Sequence, residues 1–306
     1  MDCARMAHDP HLGMSTGSIQ PSNPGPSWGF QAVRRCDRLL PEALFGPLRS
    51  AGTWAAVLVM PRQREESRAY LRVVLGREPR LRDVHRHFLA VCEALLLRLR
   101  VADGLPHRCV LAPGCEEFGA WLASGTPAFL GTFHIGNSDL TGFMLAGQAR
   151  RRVHLVRLRV GNSHDTDALA ARFGDLLRFV WVNDPSEMLF ALKEAGLSGD
   201  TVALQCDRPD HSSRSEPFEF LGAPRRFPFT IYHLALIFDR PVILSFGVPS
   251  APGESAVVAS PAFEPLKGED RRKALLRARA HFQDFLGIVD AYLRANPYQW
   301  LNFQPL

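Results

Sequence analysis

Hydrophobic positions follow different rules in different parts of this chain. Between Arg62 and Arg100 they recur at helical intervals: Val84, Phe88, Val91, Cys92, Leu95 and Leu99 form one stripe, and the polar run "GREPR" before it parts two helices. Farther on, short β-like runs alternate with helical ones. "PAFLGTF", "VHLVRLRV", "FVWV", "TVALQ" and "PVILSFGV" read as strands; "DLTGFMLAGQA", "TDALAARFGDLL", "PSEMLFALKEA" and "FPFTIYHLALIF" read as the helices between them. Such alternation predicts an α/β fold, a mainly parallel central sheet flanked by helices, preceded here by N-terminal helices.

The first third reads differently. "HDPHLGMSTGSIQPSNPGPS" is rich in Gly, Ser and Pro with no apolar run, so residues 1–30 are expected to form a disordered tail and not a signal peptide. Residues 31–61 are amphipathic. Within them Leu39–Pro61 is the most apolar stretch, but Pro41, Glu42, Pro47 and Arg49 interrupt it, and the unbroken part, Trp54–Met60, is too short to span a bilayer. It suits an interfacial membrane segment and equally a core helix. Residues 62–306 then read as one α/β domain, helical over 62–100.

Charge sharpens that picture. The net +5 is uneven: residues 34–100 carry fourteen arginines, no lysine and seven acids, a balance of +7. A field of that sign attracts phosphates, anionic headgroups or an acidic protein, and it is also what an arginine-rich solvated helix face would give. The six cysteines, Cys3, Cys36, Cys92, Cys109, Cys115 and Cys206, form no C-x-x-C pair, so neither a disulfide framework nor a zinc site is indicated. His85 and His87 are expected on the surface of their helix. No nucleic-acid motif is present.

Chemistry concentrates in "GTFHIGNSDLTGF", Gly131–Phe143. The strand "PAFLGTF" is predicted to end at His134, "IGNS" to turn, and a helix to start near Asp139, which puts both residues where open parallel sheets place their sites. A histidine there can take a proton from an attacking hydroxyl while a carboxylate on its far nitrogen fixes the tautomer. Gly136 allows a positive φ, and Asn137 or Ser138 can cap the helix. The same spacing also fits a plain strand-end histidine followed by a first-turn aspartate. A serine hydrolase using Ser138 in "GNSDL" is the rival enzyme reading; a non-catalytic membrane-binding module is the other.

His134-Ile-Gly-Asn-Ser-Asp139 resembles the H-x-x-x-x-[DE] motif of the lipid A lauroyl/myristoyl acyltransferase family, whose usual form is similar to "HFGNWE". It departs from that form in Asp139 for Glu and in Ser138 for an aromatic; aspartate at this place is the rule in the related glycerolipid acyltransferases. "ALQCDRPDHSSRSEPFEFLGAPRRFPFTIYHLALIFDRPVILSFGV" is similar to the family's second block, and "NPYQWLNFQPL" looks like its closing "P-x-Q-W-x-x-F". The resemblance covers roughly residues 62–306. It implies a glycerolipid-acyltransferase-like fold, with His134 as general base and Asp139 as its orienting partner. Gly136 and Asn137 would shape the substrate site, Arg157 or Arg159 would face it, and Asp207 and Arg208 would position the acceptor or a phosphopantetheine phosphate. Phe227, with Phe218, Phe220, Phe229 and Tyr232, is aromatic enough to line an acyl channel, though such residues also build cores. The implied donor is acyl carrier protein or acyl-CoA, the acceptor an amphiphilic lipid, with neither metal nor cofactor. The implied setting is the cytoplasmic face of a bacterial inner membrane, bound peripherally at the membrane surface.

Overall fold

The computed structural model describes residues 27–157, 171, 174–181, 192–208 and 215–305. Four helices come first: α1 (Ser27–Leu39), α2 (Glu42–Val59), α3 (Pro61–Leu75) and α4 (Leu81–Ala102). Pro61 opens α3 at a position whose N–H would be unpaired anyway, and Gly76, at φ +64°, ends it in the left-handed conformation. That places the break between α3 and α4 at the "GREPR" run.

Seven strands then build one sheet: β1 (Arg108–Leu111), β2 (Phe129–Gly136), β3 (Val153–Arg157), β4 (Leu177–Trp181), β5 (Thr201–Gln205), β8 (Val242–Pro249) and β9 (Glu254–Ala259), in the order β1-β9-β8-β2-β5-β3-β4. Between β5 and β8 the chain makes a separate antiparallel hairpin, β6 (Ser215–Phe220) and β7 (Ala223–Pro228). Neighbours from β8 to β4 run parallel; β9 is antiparallel to β8 and parallel to β1. The mostly parallel α/β sheet predicted by the alternating runs is therefore present. The helical runs over 166–177 and 185–195 lie largely outside the described residues.

Strand alternation sorts the core into two faces. Phe129, Phe133 and Ile135 of β2, with Val202, Leu244 and Phe246, point to the side covered by α3, α7 (Thr230–Phe238) and α8 (Arg271–Ala295). Leu130, Val153, Leu155, Ala203 and Ile243 point to the other side, covered by α5 (Glu116–Ser124) and α6 (Ser138–Gln148). His134 belongs to this second side.

Two expectations change. β2 does not stop at His134: Ile135 bridges Trp300 in antiparallel fashion and the Gly136 N–H donates to Gln299 O at 2.8 Å, so the C-terminal tail extends the strand and leaves only Asn137 before α6. His85 and His87 are buried, not superficial. His87, 0 % exposed, donates from Nε2 to Trp300 O at 2.7 Å and accepts at Nδ1 from Ser67 Oγ at 2.8 Å. His85 stacks on Trp54 with ring centroids 4.3 Å apart. A stripe drawn from apolar residues alone omitted the two imidazoles buried beside it.

α2 has two characters. Phe45, Thr53 and Val57 are buried, whereas Leu44, Pro47, Leu48, Ala51, Gly52, Ala55, Leu58 and Val59 are exposed along a side that carries no charge. Arg35, Arg38 and Arg62, at its two ends, are also exposed. Among the described residues no single helix is long and apolar enough to cross a membrane; α2 and α3 pass such a test only together and meet at 98°.

Candidate active site

The carboxyl end of β2 delivers His134, and the first residues after its neighbour β5 deliver Asp207. His134 Nδ1–H donates to Asp207 Oδ1 at 2.7 Å, and the His134 backbone N–H donates to Asp207 Oδ2 at 2.8 Å. Gripping both the ring and the main chain of one residue fixes the imidazole as the Nδ1–H tautomer. Nε2 is then the free base, with no hydrogen bond among the described residues. Burial pushes the Asp207 carboxyl up, but the facing His134, Arg208 and the donated hydrogen bonds outweigh it and hold the group below its ordinary range.

A tail from the far end of the sequence completes the support. Trp300 Nε1 donates to Asp207 Oδ2 at 3.2 Å, Asn302 Nδ2 donates to Asp207 O at 2.9 Å, and the Leu301 N–H donates to His134 O at 2.6 Å. Arg208 Nε donates to Asn302 Oδ1 at 3.1 Å, closing the ring. His87, through the Trp300 carbonyl, ties this tail to α4 and, through Ser67, to α3.

Asp139 sits elsewhere in this arrangement. It lies in the first turn of α6 and takes a 2.6 Å ion pair from Arg98 of α4; no described hydrogen bond or ion pair joins it to His134. Ser138 Oγ donates to Ile135 O at 2.6 Å and accepts from the Gly247 N–H at 2.9 Å, which locks β2, α6 and β8 together. Gly136 has φ +49°, and an added Cβ would lie 2.7 Å from Gly247 O, so both the backbone and the space demand glycine. Asn137 is buried and donates from Nδ2 to Ser255 Oγ at 2.9 Å.

The remaining expected residues separate. Arg157 ends β3, and Arg159 lies outside the described residues. Phe227 is 4 % exposed and packs with Phe218, Phe220 and Phe282 on the α8 side. On the opposite side, between the sheet and α5–α6, a partly open cavity is lined by Ser138, Asp139 and Thr141 of α6, by Trp121 of α5 and by Leu130, Leu155 and Ala203 of the sheet. His134 itself does not line it; Thr132, two residues earlier on the same side of β2, does.

The sequence singles out His134 and Asp207 separately but not their pairing, and it assigns no role to Arg98, which holds Asp139, or to Trp300 and Asn302, which hold Asp207. The signal for the last two was present in "YQWLNF", whose polar residues interrupt an apolar ending. Among the described residues no group of three or more His, Cys, Asp or Glu side chains could hold a metal ion. Compared with known proteins, the chain matches no family model and no curated protein.

Proposed function

We propose that this chain is an acyltransferase that moves a fatty-acyl group from a thioester to a hydroxyl or amine of a lipid acceptor. The observation that carries the proposal is the 2.7 Å contact of His134 Nδ1 with a buried aspartate at the carboxyl ends of two adjacent parallel strands, beside a largely apolar cavity. Nε2 takes the proton from the acceptor as its oxygen or nitrogen attacks the thioester carbonyl; Asp207 stabilises the imidazolium; collapse of the tetrahedral intermediate returns that proton to the departing thiol. No covalent enzyme intermediate is required.

The supporting carboxylate differs from the one that the H-x-x-x-x-[DE] resemblance implies. In this reading Asp207 orients His134, and Asp139, held by Arg98, borders the cavity mouth, where it faces substrate. The likeness to the lipid A lauroyl/myristoyl and glycerolipid acyltransferases supports the same chemistry and fold type. A serine hydrolase is disfavoured because Ser138 Oγ is committed to Ile135 O and the Gly247 N–H.

An amphiphilic acceptor calls for a surface that meets a membrane. The uncharged exposed side of α2, flanked by Arg35, Arg38 and Arg62, fits peripheral binding at an anionic bilayer such as the cytoplasmic face of a bacterial inner membrane. Acyl carrier protein is the preferred donor over acyl-CoA, since its acidic surface suits the basic helices. Part of that charge is already neutralised by Arg34–Asp103, Arg72–Glu78, Arg77–Asp83 and Arg100–Asp37 pairs. The test is release of free thiol from an acyl thioester by purified protein, measured with and without lipid vesicles. Acceptor-dependent release with one new acylated lipid by mass spectrometry is expected; no release under any donor would refute the reading.

A further inference from the structure

The cavity beside His134 is not uniformly apolar. One pleat below the histidine, Ser245 of β8, Thr132 of β2 and Gln205 of β5 stand in register on three adjacent strands, and all three line the cavity. The next residues down, Leu130 and Ala203, are apolar, as are Leu155 and Phe118. Trp121 also lines it, and its ring carries the guanidinium of Arg151, another lining residue, 4.1 Å from its centroid. A polar band therefore crosses the sheet wall of a cavity whose remaining lining combines these apolar residues with Ser138, Asp139, Thr141 and Arg151.

Much of its hydrogen-bonding capacity is not taken up by protein groups among the described residues. Thr132 Oγ1 donates to Leu204 O at 3.3 Å and keeps its lone pairs. Ser245, only 9 % exposed, and Gln205 make no side-chain hydrogen bond among the described residues. A plain methylene chain threading this band would desolvate the Ser245 hydroxyl and the Gln205 amide with nothing in return, which is costly. A hydroxyl both donates and accepts, so it matches a serine and a primary amide on the two strands that flank β2. Two residues of strand span roughly 6.6 Å, so the band meets only the first few carbons beyond a thioester carbonyl held at His134.

We infer that the transferred acyl chain carries a hydroxyl near its thioester end, recognised by Ser245, Gln205 and Thr132. The inference rests on the acyltransferase reading, and on that footing it names the donor more narrowly. A site built to bind a hydroxyl rejects the analogue that lacks it, because its own polar groups are left unpaired. The reverse holds once those groups are removed.

The experiment pairs a 3-hydroxyacyl thioester with the unsubstituted thioester of equal chain length. Both are assayed with wild-type protein and with the Ser245→Ala, Gln205→Met and Thr132→Val variants, each checked for a wild-type thermal transition. The wild type should favour the hydroxyacyl donor by about tenfold or more in kcat/KM. Ser245→Ala or Gln205→Met should erase most of that preference by slowing the hydroxyacyl donor while sparing or improving the plain one. If Ser245→Ala fails to fold, Gln205→Met carries the same comparison. A wild type that transfers the plain chain as well or better overturns the inference and leaves the acyltransferase reading standing. Absence of transfer from both donors and from every other thioester tested overturns both.

Discussion

His87 makes the fold sensitive to mild acid. The imidazole is wholly buried between Ser67 and the Trp300 carbonyl, and burial lowers its pKa from 6.5 to about 4 even though the hydrogen bond to Trp300 pulls the other way. Because the folded value is the lower one, the unfolded chain binds the extra proton first. The contribution to stability is complete above about pH 6.5, declines as the pH falls, and is fully lost below about pH 4. The gap between 6.5 and about 4, at about 1.36 kcal/mol for each unit, amounts to roughly 3 kcal/mol, of which about 2 kcal/mol disappears between pH 7.5 and pH 5. Urea unfolding of the wild type and of His87→Gln at those two pH values isolates this share, because the other histidines are common to both proteins. The variant should start less stable at pH 7.5 yet lose about 2 kcal/mol less on acidification. Equal losses in the two proteins would refute the assignment of a neutral, buried His87. Since Trp300 also holds Asp207, activity of the variant should fall even where it remains folded.

Ser138→Ala should keep most of its activity and escape labelling by a serine-reactive phosphonate, while unfolding about 1–3 kcal/mol more easily because the Gly247 N–H loses its acceptor; loss of activity with labelling of the wild-type serine would favour a hydrolase. Gly136→Ala should lower the thermal midpoint by several degrees, since a left-handed φ of +49° and a 2.7 Å approach to Gly247 O both oppose a side chain; an unchanged midpoint would contradict this. Replacing Leu44, Leu48 and Leu58 together by Ser should reduce flotation with anionic vesicles without changing the far-ultraviolet circular dichroism. Equal flotation would remove α2 from the membrane-facing role.

The division between what the chain announces and what it conceals follows the range of the interactions. Helical and strand periods are local, so the stripe on α4 and the parallel runs around "PAFLGTF" and "TVALQ" were legible, whereas the end of β2, extended past His134 by the C-terminal tail, was not. Pairing across the sheet is not local. Asp139 lies five residues from His134 and Asp207 much farther, yet adjacency of β2 and β5 brings Asp207 onto the ring while the start of α6 turns Asp139 toward Arg98. The burial of His87 depends on a C-terminal tail that no window around "VHRHF" contains. Phe227 illustrates the converse: an aromatic run signals burial but not which face of a sheet it will cover.

The central claim is that His134, poised by Asp207, is the general base of acyl transfer. The most direct test compares whole-lipid mass spectra of cells carrying the wild-type gene with those of cells carrying His134→Ala or Asp207→Asn, at matched levels of folded protein. The account predicts that one lipid species differing by a single fatty-acyl mass disappears with His134→Ala and drops by about 10²–10⁴ in rate of formation with Asp207→Asn. A lipid profile identical in all three strains, or a folded His134→Ala protein that still forms the acylated species at the wild-type rate, would contradict it.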